Sequence, residues 1–196
     1  MGKIVCLMGK SSSGKDTIYK RLLEQDNIKL KEIVTYTTRP IRAGERDGVE
    51  YHFTDEVEYC KLLREGNVIE SRVYNTCHGD WRYFTVANEE IDLSSQSYIM
   101  ITTLEGYKKI REFYGKEKVI PITIELDDGV RLQRALDREK VQDSPRYEEM
   151  CRRFLADAKD FSKENLEDAG IAQTFSNNED VDKCIYDIIN YIETNI

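Results

Sequence analysis

Proline is scarce in this 196-residue chain, with 3 residues, and glycine reaches only 11, so proline-rich linkers and collagen-like structure are excluded. No apolar run approaches the roughly 20 residues a membrane-spanning helix needs. The opening Met1-Gly2-Lys3-Ile4-Val5 enters an apolar segment without the long hydrophobic stretch of a signal peptide. The expectation is a soluble, cytoplasmic protein with no membrane partner. Basic residues are in deficit, 29 against 37 acidic, for a net charge of −8. That balance argues against nucleic acid as a partner, because broad phosphate-backbone binding needs a basic surface. Cysteine pairs are also missing: Cys6, Cys60, Cys77, Cys151 and Cys184 are odd in number and form no CxxC. They read as reduced packing residues rather than a disulfide or zinc framework. Cys77-His78 holds two metal-ligating types side by side but lacks a second pair, so ordinary loop packing is the preferred reading.

What is present is a globular balance of 40% hydrophobic and 34% charged residues, arranged in alternating strand and helix signals. Ile4-Val5-Cys6-Leu7-Met8 is short, apolar and closed by Gly9, the pattern of a strand buried on both faces. A helix should follow from Lys15 to about Gln25, burying Ile18, Leu22 and Leu23. Tyr98–Ile101 and Val119–Ile124 read as further central strands, although Pro121 cannot donate to a sheet ladder. Leu104–Tyr114 is helical and ends at Gly115. Ser144-Pro145 predicts an N-cap and first-turn proline for a helix with an apolar stripe of Tyr147, Met150, Cys151, Phe154, Ala158 and Phe161. Val181, Cys184, Ile185, Ile188 and Ile192 share one face of a last helix. Strands and helices alternating at this spacing predict an α/β fold with a parallel sheet. Residues 35–85, polar and aromatic with a short helix near 56–64, and residues 127–150, arginine-rich, break this rhythm and read as ligand-facing excursions.

Gly9-Lys10-Ser11-Ser12-Ser13-Gly14-Lys15 fits GxxxxGK between a buried strand and a helix start, the context that gives the motif meaning. Its glycines let backbone N–H groups wrap a phosphate, the helix N-terminus adds positive potential, and Lys15 reaches the terminal phosphates. The next position usually carries a magnesium-binding hydroxyl. Here it is Asp16, followed by Thr17, and either can supply a hard oxygen to Mg2+.

A second anion site is suggested by Arg39 and Arg42, three apart within Thr35-Tyr36-Thr37-Thr38-Arg39-Pro40-Ile41-Arg42-Ala43-Gly44-Glu45. Two guanidinium groups there can clamp one phosphate; pairing with Glu45 and Asp47 on a solvated loop is the plain alternative. Thr37-Thr38-Arg39-Pro40 with Arg42, Gly44, Glu45, Gly48, Tyr51 and Phe53 resembles the signature of the guanylate kinase family. The resemblance, strongest over this segment and the phosphate loop, extends over nearly the whole chain. Val68-Ile69-Glu70 is similar to the segment whose glutamate binds the guanine ring, and Tyr83-Phe84-Thr85 to the one whose tyrosine and hydroxyl contact the nucleotide. Arg134 and Arg138 resemble the lid arginines, and Arg153 the arginine opening the return helix. Asn177-Asn178-Glu179-Asp180 is similar to the turn near adenine, with Asn178 taken as the contact and Asn177 left open.

The resemblance implies a three-layer P-loop NTPase fold: a core (1–34, 86–126 and 151–196), an NMP-binding subdomain (35–85) and a lid (127–150). It implies ATP with Mg2+ as cofactors, held at Gly9, Ser11–Thr17 and Asn178. GMP or dGMP would be gripped by Thr35, Arg39, Arg42, Glu45, Tyr51, Glu70, Tyr83, Thr85 and Thr103. Transfer of the γ-phosphoryl would be carried by Lys15, Arg39, Arg42, Arg134, Arg138 and Arg153, in a monomer or small homo-oligomer. Arg131, Arg134 and Arg138 fall at i, i+3 and i+7, one helical face. Where the family has an acidic Asp-x-Asp pair this chain has Ile101 and Thr103, and Cys77–Arg82 resembles an insertion. Two other readings therefore stand beside it: a kinase for another phosphorylated acceptor, and a binding module without activity.

Overall fold

In the computed structural model, which describes residues 2–42, 44–76, 79–88 and 91–196, the chain opens with strand β1 (Ile4–Gly9), helix α1 (Lys15–Leu23) and β2 (Leu30–Glu32). The next stretch supplies β3 (Tyr36–Thr37), β4 (His52–Phe53), α2 (Glu56–Arg64), β5 (Val68–Thr76) and β6 (Gly79–Val86). Then come β7 (Ser97–Ile101), α3 (Leu104–Tyr114) and β8 (Val119–Glu125). The chain finishes with α4 (Asp128–Lys140), α5 (Tyr147–Asp160), α6 (Lys163–Asp168), β9 (Phe175–Ser176) and α7 (Val181–Asn195).

Five strands form a parallel sheet in the order β2-β7-β1-β8-β9. β1 is central and wholly buried, as its unbroken apolar run requires. Alternation along it divides the core. Val5 and Leu7 pack with Ile18 and Leu22 of α1 and Ile185, Ile188 and Ile192 of α7. Ile4, Cys6 and Met8 face the other side, with Tyr107 and Ile110 of α3 and with Ala169 and Ile171. The result is the expected α/β arrangement of helices on both faces of a parallel sheet. Pro121 fits because β9 pairs only with Ile124 and Glu125, so β8 has no second strand neighbour beside the proline.

Residues 36–86 build a second sheet, ordered β4-β3-β6-β5, with a small core of Tyr59, Phe84 and Val86. β5 also packs against α3, so this sheet sits beside the helix that follows the central strand β7.

The chain departs from expectation in three places. Helix α5 starts at Tyr147 rather than at Pro145: Glu139 Oε1 accepts the Arg146 N–H at 2.6 Å, so an acidic side chain from α4 caps the helix end in place of Ser144. The apolar stripe of α5 is narrower than its periodicity predicts. Met150 is buried and Phe154 and Phe161 are half-buried, while Tyr147, Cys151 and Ala158 are exposed. Arg131 does not share the exposed face of Arg134 and Arg138, being 1% exposed. Cys77 and His78 lie outside the described residues.

Candidate active site

The phosphate loop joins β1 to α1 through a backbone that only certain residues adopt. Gly9 and Gly14 have φ of +155° and +89°, and Ser12 is left-handed at +62°. A Cβ on Gly14 would lie 2.6 Å from Asn177 Nδ2, so glycine is required there by space as well as by φ. Asn177, after β9, donates to the Ser13 carbonyl at 2.8 Å and braces the loop from behind. Among the described residues the N–H groups of Ser12, Gly14, Lys15 and Asp16 have no partner in the chain. These amides at the start of α1 form an open anion cradle. Lys15 opens the helix beside it, half-buried and in no ion pair among the described residues. Ser12 and Ser13 carry buried hydroxyl oxygens without partners.

The first half of the loop is instead tied to α4 and α5. Ser11 N–H donates to Asp157 Oδ2 at 2.7 Å, and Arg131 Nε donates to the Ser11 carbonyl at 3.0 Å. Arg131 also pairs with Asp157 at 3.2 Å and with Asp128, its guanidinium 4.7 Å above the Phe154 ring. Lys10 reaches Asp128 at 3.3 Å. Burial opposes ionisation of Asp128, but hydrogen bonds from Arg131 and Lys10 outweigh it and hold this carboxyl below the usual range. Arg134 approaches Gly14, its guanidinium 3.6 Å from where a Cβ would stand. Among the described residues Arg138 is exposed with no ion pair, and Arg153 is exposed beside Glu149 at 3.6 Å. Asn178 accepts the Asp127 N–H at 2.7 Å, so its carbonyl secures the start of α4.

On the second sheet, Arg39 is 3% exposed and makes a two-pronged pair with Glu45, at 2.8 and 2.6 Å. The Glu45 carboxylate also takes the Arg42 N–H at 2.8 Å. These hydrogen bonds, Arg39's foremost, hold the Glu45 carboxyl down at about 2 and raise the Arg39 guanidinium further. Arg39 lies 5.1 Å from the Tyr51 ring centroid and 5.3 Å from that of Phe53, and Tyr51 meets Tyr83 edge-on at 5.5 Å. Arg42 is exposed and stands 6.0 Å over the Trp81 ring. The Thr35 carbonyl accepts the His52 N–H at 2.9 Å, placing Thr35 at the head of the β3–β4 pair. The two arginines thus differ: Arg39 is fixed by Glu45, and Arg42 is exposed over the Trp81 ring with no ion pair among the described residues.

Glu70 is the one buried acid of this sheet, 3% exposed. Thr85 Oγ1 donates to it at 2.8 Å and Arg72 Nε lies 3.2 Å away, so its charge is balanced. Burial first, and the Glu70 charge second, push the Cys6 thiol of β1 up, keeping it protonated. Thr103 caps α3 by accepting the Gly106 N–H at 3.1 Å. A Cβ on Gly106 would lie 2.3 Å from Thr102 Oγ1, 3.4 Å from Thr103 Oγ1 and 3.6 Å from Glu70 Oε2. Glycine there lets α3 approach the acid and both hydroxyls. Thr102 Oγ1 is buried and unpartnered.

Among the described residues no group of three or more His, Cys, Asp or Glu gathers as a metal cage. Asp16 and Thr17 are exposed in the first turn of α1, next to the open amides. One carboxylate and a hydroxyl beside a phosphate site fit Mg2+, which takes few protein ligands and completes its shell with water and phosphate oxygens. No helix is long and apolar enough to cross a membrane among the described residues.

Sequence reasoning missed the loop's anchors. Asp157 carries no signal in a charged helix, Phe154 reads only as part of an apolar stripe, and Arg131 groups by spacing with Arg134 and Arg138. Arg72 alternates with Glu70 along β5, a signal that a strand reading would have caught.

A parallel α/β sheet with GxxxxGK at the end of its central strand, and a second sheet inserted before the next core strand, defines a P-loop nucleotide-binding protein. A family model described as guanylate kinase matches residues 1–194, and the chain belongs to that family. The guanylate kinase of Schizosaccharomyces pombe (strain 972) is 34% identical over 110 residues, 56% of this chain and 53% of that protein. That of Anaplasma phagocytophilum (strain HZ) is 30% identical over 145 residues, 74% of this chain and 67% of its own length. These matches span about half to two-thirds of the relatives they reach. A crystal structure of guanylate kinase from Anaplasma phagocytophilum superposes with a TM-score of 0.67 at 23% identity, covering 98% of this chain and 85% of that one, and supports the fold.

Proposed function

We propose that this protein transfers the γ-phosphoryl group of ATP to GMP, giving ADP and GDP. The observation that carries the reading is the pairing of an open amide cradle at Lys15 with a buried, charge-balanced carboxylate at Glu70. The cradle suits a polyphosphate. A fixed carboxylate can accept from the N1–H and exocyclic amine of guanine together, a donor pair that adenine lacks.

A phosphate oxygen of GMP attacks the γ-phosphorus in line, the bond to the β,γ-bridging oxygen breaks, and its electrons leave with ADP. No general base is needed, because the attacking phosphate is already an anion. Lys15 and the loop amides hold the donor. Arg39, kept in place by Glu45, and Arg42, swinging in from solvent, hold the acceptor phosphate with Thr35, Tyr51 and Tyr83. Thr85 and Thr103 complete the base end, and Glu45 acts at the phosphate end by positioning Arg39. Mg2+ held by Asp16 and Thr17 would neutralise charge on the donor oxygens. In this reading residues 35–85 form the acceptor subdomain and 127–150 the lid, whose Arg134 and Arg138 close with Arg153 to exclude water. Asn178, fixed to the start of α4, lies near the adenine. The protein works in the cytoplasm as a monomer or small homo-oligomer.

A second reading, a kinase for a different phosphorylated acceptor, draws support from the base end, where Thr103 spends its hydroxyl on the α3 cap and Ile101 brings no charge. Coupled ADP-release assays across a panel of nucleoside monophosphates separate the two. Stimulation by GMP or dGMP alone is expected; a preference for another acceptor favours the second reading, and silence throughout leaves a binding module.

A further inference from the structure

The phosphate loop is open at its helix end but closed at its first half, where the chain supplies its own anion. Asp157 accepts the Ser11 N–H at 2.7 Å, and Arg131 Nε donates to the Ser11 carbonyl at 3.0 Å, so both polar groups of one loop residue are held. The two side chains also hold each other at 3.2 Å. Arg131 is 1% exposed, with Asp128 on its far side and the Phe154 ring against its guanidinium. Burying a cation this deep is tolerated where it is paired and hydrogen-bonded, and here it is both.

Arg131 and Asp157 come from different helices, α4 and α5, and meet only at the loop. Among the described residues neither is hydrogen-bonded to the open amides of Ser12, Gly14, Lys15 and Asp16. They determine instead where the chain entering those amides begins. Lys10, paired with Asp128 at 3.3 Å, extends the same anchorage by one residue.

We propose that Asp157, with Arg131, is a positioning residue for donor binding: the pair pins Ser11 so that the following amides are preset for the ATP phosphates. The proposal rests on the kinase reading above. The pair acts on the donor side alone, because it touches no residue of the second sheet that the reading assigns to GMP.

Steady-state kinetics of Asp157→Ala, with ATP and GMP varied in turn, test this. KM for ATP should rise about tenfold or more, the loss of a charge-assisted hydrogen bond, with KM for GMP within about twofold. Asp157→Asn, which keeps an acceptor for the Ser11 N–H, should recover most of that loss. A pair that only stabilised the fold would lower the melting temperature and leave the ratio of the two KM values unmoved. If circular dichroism shows Asp157→Ala unfolded, Arg131→Leu/Asp157→Ala, which strands no charge, carries the same expectation. An unchanged KM for ATP, or equal rises for both substrates, in a folded variant overturns the proposal. If the unaltered protein turns over no nucleotide, the kinase reading fails instead, and calorimetry of ATP binding to the same variants still decides whether Asp157 positions the loop.

Discussion

Replacing Glu70 by glutamine tests the base end of the site most directly. An ionised carboxylate offers about four acceptor positions. Thr85 Oγ1 donates to Oε1 at 2.8 Å and Arg72 Nη2 to the same oxygen at 3.4 Å, which leaves two for the paired donors of guanine. Glutamine keeps the shape but turns one oxygen into a donor, so one guanine N–H meets another N–H. Losing a hydrogen bond to a charged group costs about 1.5–3 kcal/mol, or roughly 10- to 150-fold. Glu70→Gln should therefore lower kcat/KM for GMP by that factor and leave KM for ATP unchanged. Arg72 is 24% exposed on its side chain and can turn to water, so the fold should survive. The assay is coupled ADP release with GMP varied at saturating ATP. A folded Glu70→Gln with kcat/KM for GMP within threefold of the unaltered protein would refute the assignment of Glu70 to the base, as would equal losses for both substrates.

Gly106→Ala places a methyl group 2.3 Å from Thr102 Oγ1 and should destabilise the fold by about 1–3 kcal/mol in urea titration. Removing the unpartnered hydroxyl in Thr102→Ala/Gly106→Ala should return most of that, and equal stabilities of the two variants would contradict the crowding. Glu45, held at about 2 against an ordinary 4.5, gives its stabilising effect in full above pH 4.5 and loses it as the pH falls through 2. The melting-temperature gap between the unaltered protein and Glu45→Gln should then be constant from pH 7 to 5 and narrow below 4.5; a gap that widens on acidification reverses the sign. Lys15→Ala should cut turnover by roughly 100-fold or more with an unchanged melting temperature, because Lys15 has no ion partner to lose among the described residues. Asp16→Ser should shift the magnesium concentration for half-maximal rate, and an unmoved titration removes Asp16 from the metal's ligands.

The core strands and the phosphate loop were legible in the sequence because burial on both faces writes itself as an unbroken apolar run, as in Ile4–Met8, and a glycine-bounded loop follows it at once. The two-residue strands β3, β4 and β9 were not, since a pair of residues has no period. Pro145 misled for a related reason: the N-cap rule reads neighbours in sequence, and the group that caps α5 is Glu139 on another helix. Arg131 shows the same limit. Charge periodicity puts it on one helical face with Arg134 and Arg138, yet its counter-ions include Asp157, 26 residues on, and only the packing of α4 on α5 brings them together. In the candidate site, Arg39 and Arg42 stand out by their spacing, whereas Glu70 and Thr85 are singled out by resemblance alone. What resemblance left out was that Glu45 fixes Arg39 and that Asn177, not Asn178, supports the loop.

The bond from Asn177 to Ser13 joins the last strand of the sheet to the first loop of the chain, across 164 positions. During synthesis, β1 and α1 leave the ribosome long before their brace exists. Until residue 177 emerges, the Ser13 carbonyl has no buttress, and the cradle that should receive a triphosphate is unfinished. The capacity to hold nucleotide is thus conferred late and all at once, as an endpoint of folding rather than a property of the segment that carries the motif.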